Sequence, residues 1–147
     1  MSVLIAGDQV RAMLLGVKVS KSTGTLAATT VPLFTVAGIV AVTCMVGQVT
    51  TAVTVANSYK LQINPTVGAT ADIGAALDIG TTDSPVGEIF TLELDNSAIV
   101  LGKAPILAGP LILPPGQIEH VSAGTDGVIL WTLTYVPVTD GASVVAA

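Results

Sequence analysis

Hydrophobic and polar residues alternate in many short segments of this chain, a pattern typical of half-buried β-strands. The alternation is clearest in Tyr59–Asn64, Phe90–Asp95 and Val128–Val136. Because successive side chains of a strand point to opposite faces, every second residue of each segment is predicted to face a core. The predicted inward residues are Tyr59, Leu61, Ile63, Phe90, Leu92, Leu94, Ile129, Trp131, Leu133 and Tyr135.

Other apolar segments, separated by Gly, Pro, Asn and Ser, predict further strands. Gly47 and Gln48 are expected to interrupt one of these segments, and Ala71–Ile79 fits either one helical turn or a short irregular strand. Gln117–Val121 is predicted to pair with Val128–Val136 across a turn at Gly124–Gly127. The additional predicted strands are Val17–Lys21, Pro32–Val36, Ile39–Met45 (separated from the preceding strand near Gly38), Val49–Val55, Ile99–Leu101 and Pro110–Leu113.

These elements predict an all-β fold, because no strand–helix alternation of the α/β type is present. Closely spaced turns indicate an antiparallel β-sandwich, jelly-roll-like, or a small barrel. The chain of 147 residues is long enough for one domain with its own core. Residues 1–21 are expected to be an N-terminal arm or a first strand, and residues 22–147 a single β domain.

The chain is unusually poor in charge, with 10% charged residues where roughly 25% is typical. A folded chain with so few charged residues exposes much apolar surface, which is expected to be covered either by protein partners or by lipid. The stretch from Ser22 to Tyr59 carries no charge, but Pro32, Gly38 and Gly47 interrupt it and threonines recur throughout. These features favour buried strands over a membrane-spanning helix, so we expect a homo-oligomer and no membrane.

Charge is distributed unevenly along the sequence. The basic residues Arg11, Lys18, Lys21 and Lys60 lie in residues 1–71 with a single acid, Asp8, whereas nine of the ten acids follow. Either the acids are solvated loop residues, or the basic N-terminal part contacts an acidic protein surface or the acidic half of another copy. Arg11, Lys18 and Lys21 are therefore candidate interaction residues, and their dispersion without interleaved aromatics argues against nucleic-acid binding.

The residues available for catalysis or metal binding are few. His120 is the sole histidine and is predicted to be structural or exposed, with Glu119, Ser122 and Asp126 as ordinary neighbours. Cys44 is the sole cysteine and lies in an apolar run, where a thiol usually serves as a small core residue. We therefore predict no enzyme activity, no cofactor and no metal.

Trp131 and Tyr135 share one face of the Val128–Val136 strand in a chain with 3% aromatic residues. Two aromatic side chains on one face either anchor the core or mark a binding patch. Both are accordingly candidate interaction residues as well as candidate core residues.

The C-terminal segment resembles that of a group of small structural proteins of tailed-phage virions. The resemblance lies in Trp131-x-Leu133-x-Tyr135-x-Pro137, in Gly141-Ala142-x-Val144-x-Ala146 near the C-terminus, and in Ile112-Leu113-Pro114-Pro115-Gly116. Leu33-Phe34-Thr35-Val36 and Val46-Gly47-x-Val49-Thr50-Thr51 also match, so the resemblance covers roughly residues 30–147. It implies a capsid decoration (cement) protein, commonly a trimer on the outside of the shell, and it carries over no catalytic residues.

The expected function is therefore that of a non-enzymatic virion protein that binds the major capsid protein and stabilises the shell. Residues 1–15 contain Asp8 and lack a basic start followed by an apolar run, so no secretory signal is predicted. The protein is expected to be made in the host cytoplasm and to reside on the capsid exterior. The alternative is a head-fibre, tail-tip or receptor-binding module with a sugar-binding groove near Trp131.

Overall fold

The computed structural model describes residues 16–92, 99–101 and 110–147, together with positions 7 and 10. The backbone of these residues forms twelve strands. They are β1 (Val17–Ser22), β2 (Thr30–Ala37), β3 (Val40–Thr51), β4 (Ser58–Pro65), β5 (Ala71–Asp72), β6 (Leu77–Asp78), β7 (Ile89–Leu92), β8 (Ile99–Leu101), β9 (Leu111–Leu113), β10 (Gly116–Ser122), β11 (Val128–Pro137) and β12 (Ser143–Ala146).

The strands form two antiparallel sheets that pack against each other as a β-sandwich. Sheet I has the order β1-β11-β3-β7-β8, with β9 also beside β3. Sheet II has the order β12-β2-β10-β4-β5, with β6 also beside β4. The predicted all-β sandwich is confirmed, and the two separate sheets do not close into a barrel.

The core lies between the sheets and follows the alternation of the sequence. In β4 the inward positions Tyr59, Leu61 and Ile63 are buried, as predicted. In β11 four alternate residues are buried while the threonines between them are half-buried. Leu94 lies outside the described residues. The other predicted inward residues are buried as expected: Phe90, Leu92, Ile129, Trp131, Leu133 and Tyr135.

The predicted break at Gly47 is wrong, because β3 continues through it from Val40 to Thr51. Gly47 pairs with Trp131 of β11. A Cβ atom at residue 47 would lie 2.9 Å from Cζ2 of Trp131, closer than non-bonded carbon atoms pack. Glycine at residue 47 therefore leaves room for the indole of Trp131, and it does not end the strand.

The predicted hairpin between Gln117–Val121 and Val128–Val136 is also wrong. Strand β10 pairs with β2 and β4 in sheet II, whereas β11 pairs with β1 and β3 in sheet I. Residues 123–127 therefore cross from one sheet to the other. This arrangement lets the apolar faces of both strands meet across the core, which a flat two-stranded hairpin would not achieve.

Residues 17–21, expected to belong to an arm or a first strand, form β1 together with Ser22. All six residues of β1 pair with β11, from Val17 opposite Tyr135 to Ser22 opposite Leu130. Residues 11–15 and most of residues 1–10 lie outside the described residues. The segment Ala71–Ile79 contains β5 and β6, which fits the irregular-strand alternative.

A separation near Gly38 is confirmed, since β2 ends at Ala37 and β3 begins at Val40. Gly38 has φ +72, a left-handed conformation that favours glycine. A Cβ atom there would also lie 2.7 Å from Cβ of Ala142. This tight turn leaves Ile39 exposed at the end of sheet I, next to the chain that leaves β11.

Candidate interaction surfaces

The outer face of sheet I carries a single charged side chain in its described strands, Lys18. Residues paired across an antiparallel sheet share one face, so the register defines which side chains point outward. The register places on this face Lys18, Ser20 and Ser22 of β1; Ala41, Cys44, Val46 and Gln48 of β3; Ile89 and Thr91 of β7; Ile112 of β9; and Leu130, Thr132, Thr134 and Val136 of β11. The hydroxyl of Thr43 lies on the same face, 2.9 Å from that of Thr134.

Aliphatic side chains are concentrated at one end of this face. Ile112 of β9 and Val136 of β11 both pair with Ala41, which lies between them in β3. Ile39 and Val138 continue these strands, with the amide of Val138 donating to the carbonyl of Ile39 at 2.9 Å. We name these five residues the apolar patch.

Four of the five residues of the apolar patch are accessible to solvent in the single chain, whereas Ala41, 9% exposed, is buried between them. Ile112 and Val138 are each 55% exposed, Val136 is 44% exposed and Ile39 is 37% exposed. Single exposed aliphatic residues are ordinary, but a contiguous group indicates a contact site. The apolar patch is therefore the part of sheet I whose chemistry is best suited to binding another protein.

The outer face of sheet II has the opposite character. Lys60 forms an ion pair with Asp72 at 2.6 Å. The carboxylate of Glu119 accepts hydrogen bonds from the amides of Gln62, at 2.7 Å, and Asn64, at 3.0 Å. This face is polar and its charged groups already have partners, so it offers little to an apolar contact.

The predicted basic interaction residues have different surroundings. Lys18 is exposed on the outer face of sheet I, beside Thr134. Lys21 is half-buried, and its Nζ donates to the backbone oxygen of Ala147 at 2.6 Å, which ties β1 to the end of β12. Arg11 lies outside the described residues. Of Lys18 and Lys21, only Lys21 has a hydrogen-bond partner among the described residues, so Lys18 is the better placed to contact another protein.

The predicted aromatic interaction residues lie in the core and not on the surface. Trp131 is 0% exposed and Tyr135 is 5% exposed. Nε1 of Trp131 donates to the hydroxyl of Tyr59 at 2.7 Å, and the two rings stack with centroids 6.3 Å apart. Because both side chains are buried, they are placed to stabilise the core and not to contact a partner.

Cys44 was expected in the core, and this expectation is wrong, because the thiol is exposed. Residue 44 pairs with Thr134, an outward position of β11. An irregularity in the pairing between Thr134 and Tyr135 shifts the register here, so Val42 and Met45 point inward and Cys44 points outward. The thiol lies next to the apolar patch on the same face.

His120 is buried and structural. Its ring stacks on Tyr59 at 5.6 Å, and neither ring nitrogen has a hydrogen-bond partner among the described residues. Burial lowers the pKa of His120 to about 4, so the ring is neutral at pH 7. Ser122 bonds to the side chain of Asn57 instead of to His120, so no serine–histidine pair forms here.

The acids near the sheet crossings hold loops in place. The carboxylate of Asp126 accepts from the hydroxyl and the amide of Thr54 and from the amide of Val55, at 2.7 to 3.2 Å. Asp78 accepts from the hydroxyl and the amide of Thr81 and from two further amides. These hydrogen bonds lower the pKa of both carboxyl groups. Among the described residues no group of three His, Cys, Asp or Glu side chains is placed to hold a metal ion.

Sequence reasoning did not find the apolar patch, although a signal for it existed. Val136 continues the outward row of Thr132 and Thr134, so the alternation of β11 already placed it on the surface. Ile39, Ala41 and Ile112 lie in wholly apolar segments, where alternation cannot separate inward from outward residues. Only the pairing of β3 with β9 and β11 brings them together.

A search of the described residues for a helix with the length and hydropathy needed to cross a bilayer found none. Comparisons with protein-family models, with curated proteins and with solved structures gave no match to this chain.

Proposed function

We propose that this chain is a non-enzymatic virion structural protein, a capsid decoration (cement) protein that binds the outer capsid surface and stabilises the shell. The observation that carries the proposal is the outer face of sheet I, whose described strands carry one charged side chain outward and which ends in the apolar patch. A protein that works by being covered needs such a surface, whereas a solitary soluble domain gains nothing from it.

The described chemistry supports a binding role in preference to a catalytic one. The buried polar groups serve the fold: Asn57 bonds to Ser122 and to the amides of Ala123 and Gly124, and Tyr59 accepts from Trp131. The sole histidine, His120, is buried in the core, and its ring nitrogens form no hydrogen bond with any described residue. The hydrogen bonds of Asn57 and Tyr59 stabilise the sandwich itself.

A decoration role also gives a physical use to the fold. A shell under outward pressure from packaged DNA is stabilised by any protein that adds buried contact area between its subunits. Modest contacts suffice, because many symmetric copies act together and the effective affinity rises with their number. The proposed partners are further copies of the chain, with a trimer favoured by the resemblance, and the major capsid protein.

The head-fibre, tail-tip or receptor-binding alternative predicts copies at one vertex or at the tail, and an exposed sugar-binding groove near Trp131. That side chain is fully buried and is bonded to Tyr59, so no described observation favours this alternative.

Quantitative mass spectrometry of purified virions tests the proposal. A decoration protein is expected in a fixed, high ratio to the major capsid protein, and virions that lack it should lose their DNA at a lower temperature. A few copies per particle, or no copies at all, would contradict the decoration role.

A further inference from the structure

We propose that the apolar patch, with the outer face of sheet I around it, joins this chain to further copies of itself. This interface is the one through which the proposed decoration protein forms a homo-oligomer, so the proposal rests on the proposed function. Its test measures the assembly of the isolated protein, so it can fail or succeed independently of capsid binding.

Charge identifies a second copy as the occupant. The chain carries a net charge of −5, so two copies repel each other when they approach through acidic surfaces. The outward positions of the described strands of sheet I include no acid, whereas those of sheet II include Asp72 and Glu119. The described strands of sheet I therefore offer two negatively charged copies a face on which no outward carboxylates of these strands oppose each other.

The charged groups at the edge of the patch are complementary between copies. Lys18 lies beside Thr134, next to Val136, and Asp140 lies in the turn that leaves the patch after Val138. Both side chains are exposed, and neither forms an ion pair with another described residue. Contact between copies can place Lys18 of one copy near Asp140 of the next.

The size of the face sets the strength of the contact. Strands about 4.8 Å apart with a rise of about 3.3 Å per residue give about 16 Å² per residue, so β1, β7, β9 and the paired parts of β3 and β11 give roughly 480 Å². Two such faces provide about 950 Å², which is below the roughly 1,200 Å² of standard specific interfaces and in the range of weak, transient contacts. We therefore expect reversible association that depends on protein concentration.

Light scattering after size-exclusion chromatography tests this inference with a matched pair of variants. Val136 in the patch and Val145 on β12 of sheet II are both exposed, at 44% and 55%, so a lysine is tolerated at either position. The wild type is expected at a multiple of 14.7 kDa, V136K at 14.7 kDa, and V145K at the mass of the wild type. Far-ultraviolet circular dichroism shows whether each variant retains the fold.

Cys44 gives an independent measurement without any engineered label, because it is the sole cysteine and lies beside the patch. A thiol reagent should modify Cys44 at least about tenfold more slowly in the wild-type assembly than in V136K, since contact between copies covers this face. Equal reaction rates in the two proteins would overturn the inference.

Charge exchange distinguishes a second copy from any other partner. K18E and D140K should each weaken association about two- to fivefold, as expected for exposed ion pairs, and the double variant should restore it. A wild type that stays at 14.7 kDa at every concentration overturns the inference. The inference is also overturned if V136K keeps the oligomeric mass of the wild type. If the isolated protein is a monomer but Cys44 is protected on virions, the face binds the shell and not another copy.

Discussion

Replacing Gly47 with alanine tests the packing that joins β3 to β11. A Cβ atom at residue 47 would lie 2.9 Å from Cζ2 and 3.0 Å from Cε2 and Cη2 of Trp131, whereas carbon atoms pack at about 3.5–4.0 Å. The indole cannot move away freely, because Nε1 is bonded to Tyr59 at 2.7 Å and the rings are stacked. One of these contacts must therefore be distorted in the variant.

Overpacking of this kind typically lowers the free energy of unfolding by about 1–3 kcal/mol. Replacing glycine also restricts the unfolded chain, which raises the free energy of unfolding by about 0.4–1 kcal/mol. We therefore expect G47A to lower the free energy of unfolding by about 1–2 kcal/mol, measured by urea denaturation monitored by tryptophan fluorescence. Circular dichroism replaces fluorescence for variants of Trp131.

A double-mutant cycle with W131F provides the control for this prediction. The phenylalanine ring is shorter than the indole, so G47A should cost markedly less in the W131F background. Equal costs in the two backgrounds would mean that the indole does not determine the need for glycine. A G47A protein as stable as the wild type would refute the reasoning outright.

Two further predictions concern buried polar groups. The pKa of His120 is about 4 in the folded protein and about 6.5 in the unfolded chain, so the folded state binds fewer protons between these values. The contribution of His120 to the free energy of unfolding is therefore fully present above pH 6.5 and should fall by up to about 3 kcal/mol as the pH drops to 4. Urea denaturation of H120L at the same pH values should lack this dependence. Asn57 accepts from the amides of Ala123 and Gly124, both at 2.9 Å, so N57A should lose about 2–4 kcal/mol of unfolding free energy. N57D keeps an acceptor for these amides and should lose less; equal losses in thermal denaturation would exclude this role.

Alternation along single strands could be predicted from the sequence because it depends on local geometry. Tyr59, Leu61 and Ile63 of β4 are buried as expected, and so are the four predicted residues of β11. Where polar residues separate apolar ones, the period of two specifies the buried face without knowledge of any partner strand.

Choice of partner strand could not be predicted, because pairing depends on residues far apart in the sequence. Strand β10 joins β2 and β4, and the glycine at residue 47 is explained only by Trp131 of a different strand. Cys44 lies in an apolar run without alternation, so its outward position follows from the register with β11. The apolar patch required the same non-local information.

Imaging intact virions by electron cryo-microscopy tests the proposed decoration role most directly. We predict density for the sandwich at regular, symmetry-related positions over the whole outer shell, with sheet I covered by neighbouring subunits. Density confined to one vertex or to the tail, or particles without the protein, would contradict the role.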